Sequence, residues 1–281
     1  MSVICTCYNH GAYVTESMES VLNQTYRNYE LIVVDDGSND NSVAVIQNYI
    51  LKHPEITFIN LQKNAGICKA FNTAFKISKG DFIIDLAADD LLLPDRLAKG
   101  IESFQQLDDH YGVIFSDAEW IDEHGRHLSF HSRKYPHHVI PQGDVYQHLI
   151  ERYFICSPTM MFRRSVMEKL FGYDETLTYE DFDFWIRSSR IYLYHYDPEV
   201  LVKKRKLRNS LSHNQFKLLN RHNYSTYRVC QKILNLNRTS AEHKALHNRI
   251  LYEIRQSIRT LDFSLAFKYF HLLRNVRANL H

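Results

Sequence analysis

Within the first 116 residues, short runs rich in β-formers alternate five times with segments of helical periodicity. Residues 2–8, 29–34, 56–61, 81–86 and 112–116 read as strands. Between them, residues 12–23, 42–51, 66–78 and 94–107 space their apolar positions for one helix face, as Val14, Met18, Val21 and Leu22 do in the first. Parallel neighbours need crossover connections, so this alternation predicts an α/β fold: a Rossmann-like, mostly parallel central sheet with flanking helices on both faces. Ligands of such sheets sit outside the carboxyl ends of the strands. The sequence places its polar clusters there: Thr6, Tyr8 and Asn9 after the first strand, Asp35 and Asp36 after the second, Asn64 and Gly66 after the third, Asp89 and Asp90 after the fourth, and Asp117 after the fifth. Any one cluster alone reads equally as a turn or a helix cap. Their convergence on one edge predicts a binding site.

Glycine spacing removes several alternatives. The nine glycines never fall within ten residues of one another, so G-x-G-x-x-G, a phosphate-binding Walker loop and G-x-S-x-G are all absent. With 44% hydrophobic and 23% charged residues, the 281-residue chain has the material for a buried core. No stretch approaches the ~18 apolar residues of a membrane span, and no basic segment precedes a hydrophobic run at the start of the chain. The five cysteines form no C-x-x-C pair. Cys5 and Cys7, two apart on a strand, read as buried thiols in a reducing compartment, which makes the cytoplasm the expected location. Residues 124–144 carry His124, His127, His131, His137 and His138 without helical ligand spacing, and read as a long exposed loop over the site.

The formal charge of +2 conceals a split. Residues 1–202 hold 17 Lys+Arg against 29 Asp+Glu, whereas residues 203–281 hold 17 against 3. This predicts an acidic catalytic body over 1–212 and a basic helical C-terminal extension over 213–281, with Leu246, Ile250, Ile254, Ile258 and Leu261 on its apolar face. The extension has three readings: packing on the catalytic body, peripheral docking on an anionic membrane surface, or oligomerisation. No nucleic-acid motif accompanies the charge, so nucleic acid is not an expected partner.

Three acidic clusters carry candidate chemistry. Asp89 and Asp90 close a hydrophobic strand and suit a hard divalent cation, Mn2+ or Mg2+, which completes its shell with substrate phosphates. Asp35 and Asp36 suit a nucleoside, while Asn64, Gly66 and Lys69 at a helix start suit phosphate or ribose oxygens. Glu180 and Asp181 lie among Tyr179, Phe182, Phe184 and Trp185, where desolvation would raise a carboxylate toward the pKa of a general base.

Five motifs occur in order: Val3-Ile-Cys-Thr-Cys-Tyr-Asn9, Asp35-Asp-Gly-Ser-Asn-Asp40, Asn64-x-Gly-x-x-x-Ala-x-Asn72, Ala88-Asp-Asp90 and Tyr179-Glu-Asp-Phe-Asp-Phe-Trp185. Arg163-Arg164-Ser165 and Gly172-Tyr-Asp-Glu175 fit the same pattern. Over roughly residues 1–212 the set resembles the inverting GT-A fold glycosyltransferases of glycosyltransferase family 2. The resemblance implies a nucleotide-diphospho-sugar donor, most often of UDP, held by Thr6, Tyr8 and Asp36 with Asp35 adjacent. It implies Asp89 as the metal-binding acid and Asp181 as the base that activates an acceptor hydroxyl, on a glycan or a lipid-linked acceptor of surface polysaccharide synthesis. The transferred group would be a hexosyl or N-acetylhexosaminyl unit. Two positions depart from the family pattern. Ala87 replaces the first acid of the commonest Asp-x-Asp-Asp form, and Asp85 is a poor substitute on a regular strand. Leu207 replaces the His of an Arg-x-His motif before Ser210-Leu-Ser212, which leaves Lys204 and Arg205, with His213 nearby, as sources of positive charge. The competing classes are a nucleotidyltransferase and a nucleotide-sugar-binding module without turnover.

Overall fold

The computed structural model describes residues 1–207 and 222–278. The 212/213 boundary, Ser210, Ser212 and His213 lie outside the described residues. The strands are β1 Ser2–Cys7, β2 Glu30–Asp35, β3 Thr57–Asn60, β4 Phe82–Ala87, β5 Leu91–Leu92, β6 Tyr111–Ile121, β7 His127–Phe130, β8 Met161–Arg163 and β9 Leu193–Arg205. The helices are α1 Val14–Leu22, α2 Ser42–Ile50, α3 Ile67–Ile77, α4 Arg96–Gln106, α5 Tyr146–Glu151, α6 Arg164–Lys169 and α7 Asp181–Ser189. Three more follow at the C-terminal end: α8 His222–Leu236, α9 Ser240–Arg259 and α10 Phe263–Ala278.

One sheet runs in the order β3-β2-β1-β4-β8-β6-β9-β5, with β7 added to β6. The pairs β1–β2, β2–β3, β1–β4 and β6–β9 are parallel, and β8 is antiparallel to both β4 and β6. The four expected strand–helix units appear within a residue or two of their expected ends. The fifth strand differs: β6 lies next to the inverted β8 rather than β4, and it continues to Ile121. Alternation separates two cores. Val3, Cys5 and Cys7 face α1 and Ile46, whereas Ile4, Ile32 and Val34 face Phe71.

Residues 118–150 are not the irregular loop that the sequence suggests. β6 and β7 form a hairpin whose turn is closed by the Asp122 carboxylate, which accepts the N–H groups of His124 and Arg126 at 2.9 Å each. Gly125 supplies the required positive φ of 80°. The histidines disperse to separate partners. His127 pairs with Glu119 at 2.9 Å, buried His131 bonds the Phe154 carbonyl at 2.8 Å, and His137 bonds the Tyr196 hydroxyl at 2.6 Å. A cavity of about 580 Å³ opens between this hairpin and the 132–138 segment. The hairpin escapes a periodicity reading because β7 is only four residues long, with three of them exposed.

The C-terminal helices share the core of the sheet. Val229, Cys230, Leu246, Ile250, Leu265 and Tyr269 join Phe182 and Trp185 in one apolar cluster. Thr239 and Glu242 form a capping box that starts α9. Buried Arg249 on α9 lies 4.2 Å from the Tyr153 ring centroid and 4.8 Å from that of Phe182, with its Nε bonded to Glu253 at 2.8 Å. Arg249 thus meets the body through aromatic rings, while Lys232 on α8 meets its acids directly, pairing with Asp174 and Asp183.

Candidate active site

The nucleoside end is built from three loops at the carboxyl edge of β1, β2 and β3. Asn9, at φ 58°, donates its N–H to Ser38 Oγ at 2.8 Å, and its side-chain oxygen accepts the Asn39 N–H at 2.8 Å. Asp35 is fully buried and accepts the Ser38 N–H and hydroxyl at 2.8 and 2.6 Å. Asn9 and Asp35, expected to face the donor, thus also close the loops at this edge. The next carboxylate, Asp36, accepts the N–H groups of Ala65 and Gly66 at 2.7 and 3.0 Å. Burial raises its pKa, and those two donors oppose the rise. This corrects one expectation. The Gly66 N–H, read as open to a phosphate, is already satisfied by Asp36, because Gly37 at φ 71° brings the β2 and β3 loops together. A Cβ on Gly37 would sit 2.4 Å from the Lys63 backbone and 2.5 Å from that of Asn64. Thr6 is buried at the rim, Tyr8 is 41% exposed, and Asn64 and Lys69 are exposed.

The second end gathers around β4, β5 and β9. The Arg205 N–H bonds Asp90 Oδ1 at 2.8 Å and its Nε bonds the Asp89 carbonyl at 2.9 Å. Its Nη2 reaches Glu16 at 2.6 Å, and the guanidinium lies 4.8 Å from the Tyr13 ring centroid. Arg205, expected at the donor, is only 4% exposed and instead ties α1, the 88–90 turn and β9 together. Neither Asp89 nor Asp90 caps a helix. Burial, reinforced by Asp89, pushes the Asp90 carboxyl up to about 7. His10 Nδ1 stands 3.7 Å from Asp89 Oδ1.

Lys204 is the positive group at the centre. Burial disfavours its charge, but Cys156, Asp90, Asp89 and Asp181 outweigh that effect and hold its pKa above the ordinary lysine value. It forms no ion pair within 4 Å among the described residues, and its Nζ lies 5.7 Å from the Trp120 ring centroid. The sequence offered Lys204, with Arg205, as a source of positive charge beside Leu207; on β9 its neighbours Val202 and Arg205 are buried.

Glu180, Asp181 and Asp85 make the third group. Asp85 was discounted on the sequence as a substitute for the acid missing at Ala87. On β4 it instead joins the other two acids and accepts the Tyr173 hydroxyl at 3.0 Å. Burial, then the neighbouring carboxylates of Asp181 and Asp85, push Glu180 well above its ordinary value. Burial also raises Asp181, but the Phe182 N–H at 2.7 Å, Lys204 and the Ser157 hydroxyl all favour its ionised form. Adjacent acids in such different surroundings are unequal: the neighbours of Asp181 favour its ionised form, whereas those of Glu180 oppose ionisation.

Asp85 offers a direct check. Burial pushes it up to about 7, with Asp181 adding to the rise. Its folded pKa exceeds the ~3.9 of an unfolded chain, so its ionisation costs stability as pH rises through that window. Asp85→Asn is expected to stabilise the fold by about 1–3 kcal/mol at pH 8 and by little at pH 4. Thermal unfolding at the two pH values reads this difference, and an equal shift at both would remove the electrostatic cause.

The loop before Asp181 is strapped from two sides. Asn72 on α3 donates to the Tyr173 carbonyl at 2.9 Å and accepts the Tyr173 N–H at 2.9 Å. From α8, Ser225 accepts the Thr178 N–H at 3.0 Å, Thr226 bonds the Tyr179 hydroxyl, and Arg228 donates to the Thr176 carbonyl at 2.9 Å. Lys232 pairs with Asp174 at 2.6 Å and with buried Asp183 at 2.5 Å.

Known proteins share this fold. Residues 2–171 match the family described as glycosyl transferase family 2. An uncharacterized glycosyltransferase of Methanocaldococcus jannaschii is 34% identical over 210 residues, which cover 73% of this chain and 70% of that protein. Chondroitin synthase of Escherichia coli is 28% identical over 193 residues, covering 68% of this chain but 26% of that protein. Among solved structures, S. aureus TarS in complex with UDP-GlcNAc superposes with a TM-score of 0.71 at 19% identity, covering 98% of this chain and 80% of that one. The mannosyltransferase PcManGT of Pyrobaculum calidifontis, in complex with GDP-Man and Mn2+, gives 0.63 at 16% identity, covering 99% and 82%. The sheet order and the family match agree: this chain is a glycosyltransferase with the GT-A fold and belongs to glycosyl transferase family 2.

Proposed function

We propose that the protein transfers a sugar, with inversion, from a UDP-sugar to a hydroxyl of a glycan or lipid-linked acceptor. The observation that carries this reading is the charge around Lys204 on β9: the carboxylates of Asp181 and of the Asp89/Asp90 turn all favour its ammonium form. Asp36, Thr6 and Tyr8 take the nucleoside. Asp181 removes the acceptor proton as the hydroxyl attacks the anomeric carbon in line, and the sugar–diphosphate bond breaks in the same displacement. Lys204 faces the negative charge that grows on the departing diphosphate. Arg205 positions the Asp89 turn rather than contacting the donor.

The donor set suits a hard divalent cation. Asp89 and the Asp90 oxygen not bonded to Arg205 are oxygen ligands of the kind that Mn2+ or Mg2+ supplements with substrate phosphates and water. When bound, such an ion acts as a Lewis acid on the diphosphate. Its presence in the PcManGT complex supports the same choice.

The test is a thermal-shift panel of nucleotide sugars with and without Mn2+ or Mg2+, followed by nucleotide release in the presence of glycan acceptors. Stabilisation by a UDP-sugar and UDP release are expected. Binding without release across a broad acceptor set would identify a binding module, the reading that Ala87 and Leu207 favour. Release of sugar 1-phosphate in place of the nucleoside diphosphate, or of pyrophosphate when a nucleoside triphosphate and a sugar 1-phosphate are supplied, would identify a nucleotidyltransferase.

A further inference from the structure

Helix α10 carries apolar residues on two faces, and the protein covers only one of them. Leu265, Tyr269, Leu272, Leu273 and Val276 are buried against α9 and the shared core. Phe263, Phe267 and Phe270 recur at one-turn spacing on the outer face, 63%, 73% and 49% exposed. The corner that leads into the helix extends this surface. Leu261 is 58% exposed and holds φ 57°, a left-handed conformation that favours glycine, and Ile258 beside it is 45% exposed. Backbone strain and an uncovered apolar side chain thus coincide at one residue. Exposed Arg255 and Arg259 precede the corner, and exposed Arg274 continues the phenylalanine face one turn beyond Phe270. None of the three forms an ion pair among the described residues. Lys232, Arg190 and Arg249 use their charge internally, so these three belong to the part of the basic extension that the body leaves unneutralised.

We propose that the α9–α10 corner and the outer face of α10 dock on an anionic lipid bilayer. Leu261, Phe263 and Phe267 enter the interface, and Arg259 and Arg274 meet the headgroup phosphates. The combination decides among occupants. Aromatic and aliphatic side chains beside arginines are the composition of interfacial helices, and each arginine near such a surface adds attraction. A second copy of this chain is disfavoured, because a two-fold contact centred on the patch would set like arginines against one another. No helix among the described residues is long and apolar enough to cross a membrane, so the contact is a surface one. The docking does not depend on the proposed reaction.

Flotation of the full chain with phosphatidylcholine vesicles, with and without phosphatidylglycerol, tests the proposal without any donor. Binding to the phosphatidylglycerol vesicles at low salt is expected, with weakening at high salt. Phe263→Ser/Phe267→Ser should weaken it by about tenfold or more, and Arg259→Gln/Arg274→Gln by a similar factor. Circular dichroism, thermal midpoint and nucleotide release of both double variants should match the parent, which separates lost docking from lost fold. No binding at low salt, binding unchanged in both variants, preferential retention of a single-stranded oligonucleotide, or conversion of a parent dimer to a monomer by the serine variant would each overturn the proposal.

Discussion

Asp181→Asn is expected to lower turnover by about 10²–10⁴-fold while leaving donor affinity unchanged, the signature of a lost general base. Asparagine preserves the shape at the start of α7 but cannot accept the acceptor proton. The parent kcat/KM should rise with pH as Asp181 ionises, and its acid limb should stand above the ordinary aspartate range because burial raises that group. Glu180→Gln gives the internal comparison. It retains much more activity, since burial and its acidic neighbours disfavour the ionised form of Glu180. Its acid limb should stay near the parent position, because the raised pKa of Glu180 leaves little negative charge there to remove. Near-parent turnover in Asp181→Asn, measured by UDP release at saturating donor, would return the base role to Glu180 or Asp85.

Lys204→Met is expected to reduce turnover by about 10²–10³-fold, the usual effect of removing one preorganised charge from a developing anion. Donor affinity should weaken as well, because the diphosphate already carries charge in the ground state. The methionine keeps most of the side-chain volume, so packing against Trp120 is largely retained. A second readout separates this role from a structural one. Lys204 favours the ionised form of Asp181, so the acid limb of kcat/KM should move to higher pH in Lys204→Met, and Lys204→Arg should return it toward the parent value. A limb that stays in place in both variants would remove Lys204 from the site.

The fold was legible where periodicity was long. β1, β2 and β4 follow from six-residue runs of β-formers, and the helices between them from a period of 3.6 in stretches of nine to eleven residues. The β6–β7 hairpin and the inverted β8 were not legible, because strands of four and three residues carry too little pattern to read. In the site, the types of residue were visible but their commitments were not. Asp35 and Asp36 are indistinguishable in sequence. Only tertiary contact shows one closing a turn on Ser38 and the other holding the β3 loop. Arg205 likewise reads as a free cation until its contacts to Asp90, Asp89 and Glu16 are seen. Asp85 carried a usable signal, a lone acid within the apolar strand Phe-Ile-Ile-Asp-Leu-Ala. A charge in a central strand needs a reason, and here its reason lies with the acids of α7.

The straps from α8 divide the molecule where the chain itself does not. The segment that matches the family ends at residue 171, before Asp181 and Lys204. Asp181 starts α7, which packs against α8 from the end of the chain. A hybrid enzyme joined after β9 would separate Lys232 from Asp174 and Asp183 and inherit a misplaced base. A joint at Phe171, a 95% exposed residue at a helix end, would carry the 172–189 loop and helix together with their α8 braces as one cassette, and Asn72 and Asp85 would have to be matched on the other side of the joint. Such grafts would exchange the acceptor side of the enzyme while the nucleotide side stayed with its original owner.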